Sequence, residues 1–210
     1  MPHQNLTALL SDCTAIILAG GQSRRMGRDK ASLPFADSTL LHTVIQHLQP
    51  LFPHILLSVR QPLPAYDFPQ ITDSTPHAGP LAALVDTIAC LDTPWAFVTA
   101  CDMPFIAPAL INKLAASRNH HLAVVADIDG HWQPFAAFYA KNSLPILRHA
   151  LQSGECSLTG ALRRLAPACV PASDLRTTDP TLRSFIDLDT PDDWLHHHSP
   201  DIPSTKDIIP

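Results

Sequence analysis

Residues 15–30, AIILAGGQSRRMGRDK, are the most informative segment of this sequence. It begins with an uninterrupted, β-branched apolar run, and residues 14–18 therefore predict a strand buried on both faces, as the central strand of a parallel sheet is. Ala19, Gly20 and Gly21 follow where this strand ends. Their small size lets backbone N–H groups approach an anion closely, so the stretch predicts a central strand followed by an anion-binding loop.

Four cations stand shortly after the glycine pair, namely Arg24, Arg25, Arg28 and Lys30. Guanidinium and ammonium groups suit phosphate oxygens, so their charge agrees with the loop. The spacing of the glycines does not form GxGxxG, and no Gly-Lys-Ser/Thr closes a P-loop. Taken alone, the glycine pair is also compatible with an ordinary strand-to-helix turn that carries a solvated basic face.

Apolar periodicity along the rest of the chain alternates between strand and helix. Strands are predicted at residues 54–59 and 95–99, and helices begin near Ser38 or Thr39 and at Pro80. This alternation predicts an α/β fold, a three-layer α/β/α sandwich around a mostly parallel, Rossmann-like sheet. Further helices are predicted at residues 108–116, 144–151 and 158–165, and further strands at residues 122–126, 135–139 and 185–188. A polar, proline-marked connection is expected between the last helix and the last strand.

Composition bounds the class of protein. The 210 residues are enough for one core, and we expect a single domain at residues 14–198 with loose termini at 1–13 and 199–210. A net charge of −5 argues against a nucleic-acid or anionic-membrane surface. No apolar run has membrane-spanning length and the N-terminus lacks a signal-peptide pattern, so a cytoplasmic location is expected. The five cysteines include no CxxC pair, which indicates neither a disulfide framework nor a zinc ribbon.

Polar residues that follow strands are the candidate functional residues, because ligands of such sheets bind beyond the carboxyl ends of the strands. Asp102 follows the apolar run 95–100, where a carboxylate can hold a hard divalent cation against phosphate oxygens. Asp73 follows a short strand near Ile71 and faces the same edge. On spacing alone, either aspartate is equally well explained as a cap or turn residue.

The string LAGGQSRRMGRDK, residues 18–30, resembles the signature LAGGxSxRMGxDK of the nucleotidyltransferases that act on the molybdenum cofactor, above all the molybdenum cofactor guanylyltransferases. Similarity continues through Asp73, through GPLAAL at 79–84 and TACDMPFI at 99–106, and ends near DTPDDW at 189–194. The resemblance implies the fold of nucleotide-diphospho-sugar transferases. It also implies transfer of GMP from GTP to the phosphate of molybdopterin or the molybdenum cofactor, with release of pyrophosphate.

The same resemblance implies roles for individual residues. It makes Asp102 the Mg²⁺ ligand and Asp73 part of the guanine nucleotide site. The catalytic set it implies is Lys30, Arg25 and Asp102. The nucleotide-binding set it implies is Leu18, Ala19, Gly20, Gly21, Lys30, Asp73 and Asp102. The implied partners are GTP and molybdopterin or the molybdenum cofactor, with other cofactor-biosynthesis proteins or acceptor molybdoenzymes as further candidates.

Asp187 and Asp189 depart from the family pattern. They occupy alternate positions in FIDLDTPDDW, so a strand would put both side chains on one face. There they would either make a second contact with Mg²⁺ or be solvated carboxylates at the end of the strand. Guanylyltransferases more often carry Asn-x-Asn here, whereas the related cytidylyltransferases tend to carry Asp. LSVR at 57–60 also departs, since guanylyltransferases often have asparagines before the arginine. GPL at 79–81 and Gly20 resemble the guanylyl branch, so GTP is favoured over CTP.

Alternatives stay open at the level of sequence. A cytidylyltransferase or a sugar-phosphate nucleotidyltransferase would share the fold and differ in nucleotide preference. A nucleotide-binding module for cofactor delivery would bind GTP without releasing pyrophosphate, although the presence of Lys30 and Asp102 argues against it. Trp132, in the segment 132–134, either lines an acceptor pocket by packing on a pterin ring or is a core residue.

Overall fold

The fold is organised around strand β1 (Cys13–Leu18), which lies inside a seven-stranded sheet in the computed structural model. The structure describes residues 9–20, 30–72, 79–190 and 193. Residues 13–17 are all buried, because neighbouring strands flank β1 on both sides and helices cover both of its faces. The predicted central strand is therefore confirmed.

Within the described residues, eight further strands follow β1 in chain order: β2 (Pro34–Phe35), β3 (Ser38–Thr39), β4 (His54–Val59), β5 (Gln70–Thr72), β6 (Trp95–Ala100), β7 (Ala123–Ile128), β8 (His131–Ala140) and β9 (Ala168–Pro171). The main sheet has the order β5-β4-β1-β6-β8-β7-β9, and β2 pairs with β3 in a separate hairpin. β1 is parallel to β4 and β6, and β4 is parallel to β5. β8 runs antiparallel to both of its neighbours. The carboxyl ends of β5, β4, β1 and β6 therefore meet at one edge of the sheet.

Helices cover both faces of this sheet. Their bounds are α1 (Leu40–Leu48), α2 (Pro80–Ala89), α3 (Pro108–Ala115), α4 (Leu144–Gln152), α5 (Leu158–Leu165) and α6 (Ala172–Leu175). Buried residues of α1, α3 and α6 pack with Ile17 and Phe97, whereas those of α2, α4 and α5 pack with Ile16 and Val98. Because successive strand residues point to opposite faces, this division confirms the predicted three-layer α/β/α architecture. None of the helices in the described part of the chain has the length and apolar character that crossing a membrane requires.

The start of α1 shows how local sequence sets an element boundary. The Thr39 side chain accepts a hydrogen bond from the His42 backbone N–H at 3.2 Å, which confirms Thr39 as the helix cap. Ahead of β1, the Leu10 N–H donates to the Leu51 carbonyl at 2.8 Å, and the Leu10 side chain is buried. Leu10, which belongs to the expected loose lead-in, therefore packs on the chain that follows α1.

Two predictions for the last part of the chain are wrong. Arg183–Phe185 forms a 3-10 turn and residues 186–189 are not paired in a strand, because Leu188 is buried against the Leu33 side chain and the β2 hairpin instead of a sheet edge. The polar connection expected after α5 contains strand β9, which pairs in parallel with β7. An edge strand tolerates proline, so the prolines that bound β9 concealed it in the sequence.

Gly79 sets the position at which α2 begins, and its replacement tests that geometry. Gly79 has a φ of +86°, and a Cβ there would lie 2.9 Å from the Cys156 carbonyl oxygen, which also accepts the Leu81 N–H at 3.4 Å. We expect Gly79→Ala to lower the free energy of unfolding by about 2–4 kcal/mol, because backbone strain and a steric clash add.

Gly154→Ala is the matched control, because Gly154 has a φ of +87° and nothing within 4 Å of its added Cβ. It should cost only about 1 kcal/mol, the strain contribution alone. Urea unfolding of both variants measures the difference. Equal losses in the two variants would show that the contact with Cys156 does not constrain α2.

Candidate functional site

The candidate site lies at the edge where β1, β4 and β6 end. Beyond the last strand residues, the Ala19 N–H donates to the Ser58 carbonyl at 2.8 Å, and the Cys101 N–H donates to the Leu18 carbonyl at 3.2 Å. These two bonds continue the ladders on both sides of β1. The sheet therefore fixes the direction in which the chain leaves each strand, and it brings the segments that follow β1 and β6 together.

A lysine and two aspartates from distant parts of the chain meet at this edge. The Lys30 Nζ donates to Asp102 Oδ2 at 2.7 Å and also contacts Asp189 Oδ1. Lys30 opens a 3-10 turn that leads into the β2 hairpin, and Asp102 follows β6. The Lys30 and Asp102 side chains are 14% and 16% exposed, whereas Asp189 is 45% exposed. The ammonium group thus lies between an inner and an outer carboxylate.

The charge balance keeps Lys30 protonated. Burial lowers the pKa of the Lys30 ammonium, but the Asp102 carboxylate, by its charge and its hydrogen bond, and then Asp189 outweigh burial and leave this pKa above its usual value. Lys30 is therefore a fixed positive charge at neutral pH, not a proton donor or acceptor that titrates near pH 7.

Asp187 brings a third carboxylate to the same region. Partial burial raises the pKa of Asp187, and the charges of Asp189 and Asp102 raise it further, with Lys30 opposing them. Asp187 and Asp189 therefore lie near Asp102. The strand predicted to carry them is absent, so their alternation along the sequence is not what brings them together. Among the described residues, no set of three or more His, Cys, Asp or Glu side chains forms a group that holds a metal ion by itself. One or two carboxylates together with phosphate oxygens suffice for Mg²⁺.

The glycine loop is anchored from β4. An Arg60 Nη2 hydrogen donates to the Gly20 carbonyl at 2.9 Å, across 40 positions of the chain. This contact places a second cation beside the end of β1. The sequence singles out Arg60 only as the last residue of the LSVR stretch at 57–60, and it gives no sign that the partner of Arg60 is a backbone carbonyl.

Several predicted site residues lie outside the described part of the chain: Gly21, Arg24, Arg25, Arg28 and Asp73. Of the predicted residues within it, the structure brings Lys30, Asp102 and Asp189 into direct contact and Asp187 into their neighbourhood. Leu18, Ala19 and Gly20 lie at the end of β1, beside the segment that carries Asp102.

Trp132 lies in the first half of β8, ahead of a register shift in the β7–β8 pairing. Trp132 is partly buried and packs against the hydrophobic cluster that α2, α4 and α5 form. This packing agrees with the interpretation of Trp132 as a core residue. Farther along the strand, Ala136 has a φ of +61°, and the Tyr139 hydroxyl donates to the Pro134 carbonyl at 2.9 Å. The pairing of β8 is thus irregular in this stretch, and the partly buried position of Trp132 supports a packing role.

Replacing Asp187 tests whether the three carboxylates repel one another. Without divalent cations, we expect Asp187→Asn to raise Tm by about 1–2 °C at neutral pH, because it removes a charge whose ionisation Asp189 and Asp102 oppose. Adding Mg²⁺ should reduce the difference in Tm between Asp187→Asn and the native protein. Asp92→Asn, an exposed aspartate that precedes β6 at the opposite edge, is the matched control and should leave Tm unchanged. An equal or lower Tm for Asp187→Asn would contradict the repulsion.

Comparison with known proteins identifies a family for this arrangement. The MobA-like NTP transferase domain matches residues 15–168. Among curated relatives, a probable molybdenum cofactor guanylyltransferase of Chloroflexus aggregans is 34% identical over 188 residues, which cover 86% of this chain and 90% of the relative. The molybdenum cofactor guanylyltransferase of Pseudomonas putida is 32% identical over 174 residues, which cover 75% of this chain and 85% of the relative.

Solved structures share the fold. Molybdopterin-guanine dinucleotide biosynthesis protein A from Archaeoglobus fulgidus superposes with a TM-score of 0.77 at 25% identity, covering 89% of this chain and 96% of that chain. The 2-C-methyl-D-erythritol 4-phosphate cytidylyltransferase of Thermus thermophilus superposes with a TM-score of 0.65 at 14% identity, covering 90% of this chain and 98% of that chain. The second likeness shows the fold alone, and together they confirm the predicted architecture.

Proposed function

Because the chain belongs to the family of MobA-like NTP transferase domains, we propose that it is a molybdenum cofactor guanylyltransferase. It transfers GMP from GTP to molybdopterin or to its molybdenum-bearing form. The observation that carries this proposal is the contact of Lys30 with Asp102 and Asp189 at the carboxyl edge of the sheet, next to the loop that Gly20 opens. Such a site combines the cation and the carboxylates that nucleotidyl transfer requires.

The reaction is one displacement at phosphorus. An oxygen of the terminal phosphate of the acceptor attacks the α-phosphorus of GTP and forms a new P–O bond. The bond between the α-phosphorus and the oxygen that bridges to the β-phosphorus breaks, and pyrophosphate leaves with the electron pair. No covalent enzyme intermediate is needed, so the protein acts by positioning the two phosphates and by neutralising their charge.

In this proposal, the basic residues of the site bind phosphate groups and the acidic residues around Lys30 bind the metal ion. Lys30 neutralises negative charge on the transferring phosphates, and Arg25 does so from the part of the loop outside the described residues. Backbone amides of Gly20 and Gly21 hold the triphosphate, Leu18 and Ala19 line the nucleotide from the end of β1, and Asp73 binds the guanine nucleotide. Because Lys30 stays protonated at neutral pH, its charge is available in every step.

A divalent cation fits the residues present, and we propose Mg²⁺. The fit rests on Asp102 and Asp189, whose carboxylate oxygens already share one cation, the Lys30 ammonium, and on the further negative charge of Asp187. Asp102 would hold the ion, with Asp189 and Asp187 as weaker contributors. When bound, Mg²⁺ supplies charge stabilisation to the phosphate oxygens as they become more negative.

Pyrophosphate release tests the proposal. The protein is incubated with Mg²⁺, purified molybdenum cofactor, and either GTP or CTP at matched concentrations. We expect release that depends on both GTP and the cofactor. A preference for CTP would make the protein a cytidylyltransferase, and the aspartates at 187 and 189 would then mark that branch. GTP binding without release, with any acceptor tried, would favour a non-catalytic module that delivers cofactor.

A further inference from the structure

We propose that residues 179–188, named here the C-terminal clasp, position the loop that carries Asp102. This inference rests on the proposed function only in that Asp102 is taken to hold the divalent cation. The Asp102 loop consists of residues 101–107, between the end of β6 and the start of α3. Ser184 and Asp179 are the positioning residues, because they contact the loop or each other and touch neither nucleotide nor metal in the proposed mechanism.

Ser184 holds the far end of the Asp102 loop. Its hydroxyl accepts the Ala107 N–H at 3.0 Å and donates to the Phe105 carbonyl at 3.4 Å. Ser184 is fully buried, so water does not replace these bonds when the hydroxyl is lost. One side chain therefore fixes two backbone groups just ahead of α3.

Asp179 fixes Ser184 in turn. Its carboxylate accepts the Ser184 N–H at 2.9 Å and the Arg183 N–H at 3.2 Å, and the residue is only 8% exposed. Two amide donors offset part of the cost of burying this charge. The 3-10 turn Arg183–Phe185 is thus capped by a buried carboxylate, which places the Ser184 hydroxyl toward the loop.

The near end of the Asp102 loop is held by the same segment. The Leu188 N–H donates to the Asp102 carbonyl at 2.9 Å, and the Leu188 side chain is fully buried. Between the two ends, the Arg183 guanidinium lies 4.2 Å from the centre of the Phe105 ring, and the Phe35 ring meets Phe105 edge to face at 5.7 Å. The clasp therefore holds the loop at Asp102 itself, at Phe105 and at Ala107.

The clasp lies between residue 168, where the match to the family model ends, and the site residue Asp189. The clasp also leads directly into Asp189, which contacts Lys30. A shift of the clasp would move the Asp102 carboxylate and the Asp189 carboxylate relative to each other, and small displacements of reacting groups are costly.

Ser184→Ala tests the clasp, with Ser143→Ala as its matched control. Ser143 is equally buried, lies ahead of α4 beyond the opposite edge of the sheet, and has no partner for its hydroxyl among the described residues. Calorimetry measures Mn²⁺ binding to each protein in the presence of GTP, amide exchange reports on Ala107, and Tm reports on folding. Asp179→Asn is a second variant that acts on the same hydroxyl from farther away.

We expect Ser184→Ala to weaken Mn²⁺ binding by about fivefold to tenfold and to speed exchange at Ala107, because one net hydrogen bond is worth up to about tenfold in an equilibrium constant. Asp179→Asn should act in the same direction, and Ser143→Ala should match the native protein. Mn²⁺ binding unchanged in both clasp variants, with or without a lower Tm, would overturn the positioning role. The readout does not need turnover, so native protein that binds Mn²⁺ without releasing pyrophosphate would refute the proposed function and leave the clasp testable. Native protein that binds no Mn²⁺ with GTP would overturn both.

Discussion

Asp102→Asn is expected to lower kcat for pyrophosphate release by about 10³-fold or more, while the protein stays folded. The substitution preserves the shape of the side chain and removes the charge of the inner carboxylate, which is 16% exposed. Lys30 keeps its contact with Asp189, so its ammonium is not left buried without a carboxylate. Initial rates at several Mg²⁺ concentrations, with circular dichroism as the check on folding, measure the effect.

Asp92→Asn again serves as the control for an exposed aspartate away from the site. The loss should not be recovered at high Mg²⁺, because the amide carbonyl of asparagine carries no net charge. Turnover close to the native rate, with the native dependence on Mg²⁺, would remove Asp102 from the proposed metal site and would redirect attention to Asp187 and Asp189.

Lys30→Met is expected to lower kcat/KM for GTP by about 10²- to 10³-fold, because it removes the charge that neutralises the phosphates while keeping the length of the side chain. It also leaves Asp102 and Asp189 facing each other without their shared cation. Tm without divalent cations should fall. The rise in Tm that Mg²⁺ produces should be larger than in the native protein, since Mg²⁺ then replaces the positive charge that Lys30 supplied between Asp102 and Asp189.

Lys113→Met, which replaces a partly exposed lysine on α3, is the control for loss of a positive charge elsewhere.

The pKa of Lys30 also predicts how the stability of the protein depends on pH. Because the folded protein raises the pKa of Lys30 above its ordinary value of 10.5, the stabilisation from Lys30 is fully present below about pH 10.5 and is lost only as pH rises through the higher pKa of the folded state. Native Tm that falls between pH 7 and 9 while Lys30→Met stays constant would contradict this assignment, as would native kinetics in Lys30→Met.

Sequence predicted the parts of the fold that periodicity specifies. β1, β4 and β6 are mostly apolar strands of six residues, and the apolar positions of α1 recur on one face of a helix that follows a capping threonine. β9 was missed because four residues bounded by prolines give no period to read. Residues 185–188 have the composition of a strand, but tertiary packing of Leu188 overrides that preference.

The sequence predicted which residues belong to the candidate site better than it predicted how they are arranged. Asp102 and Lys30 stand next to recognisable strands and loops, and Asp189 was grouped with them for a reason that the structure does not support, alternation along a strand. The contact of Ser184 with Ala107 joins residues 77 positions apart, and Arg60 meets Gly20 across 40. Single polar residues in connecting segments carry no local pattern, so pairs of this kind become visible only when the chain is folded.

The contact between Lys30 and Asp189 spans 159 positions of the chain, and it has a consequence for synthesis on the ribosome. Most of the sheet, from β1 to β8, can be assembled before residue 189 has been translated, because all of those strands lie ahead of residue 141. Lys30 and Asp102 would meet at that stage without their third member. The nascent chain can therefore reach a native-like sheet while its site is still incomplete, and the site is completed only after residue 189 has been translated.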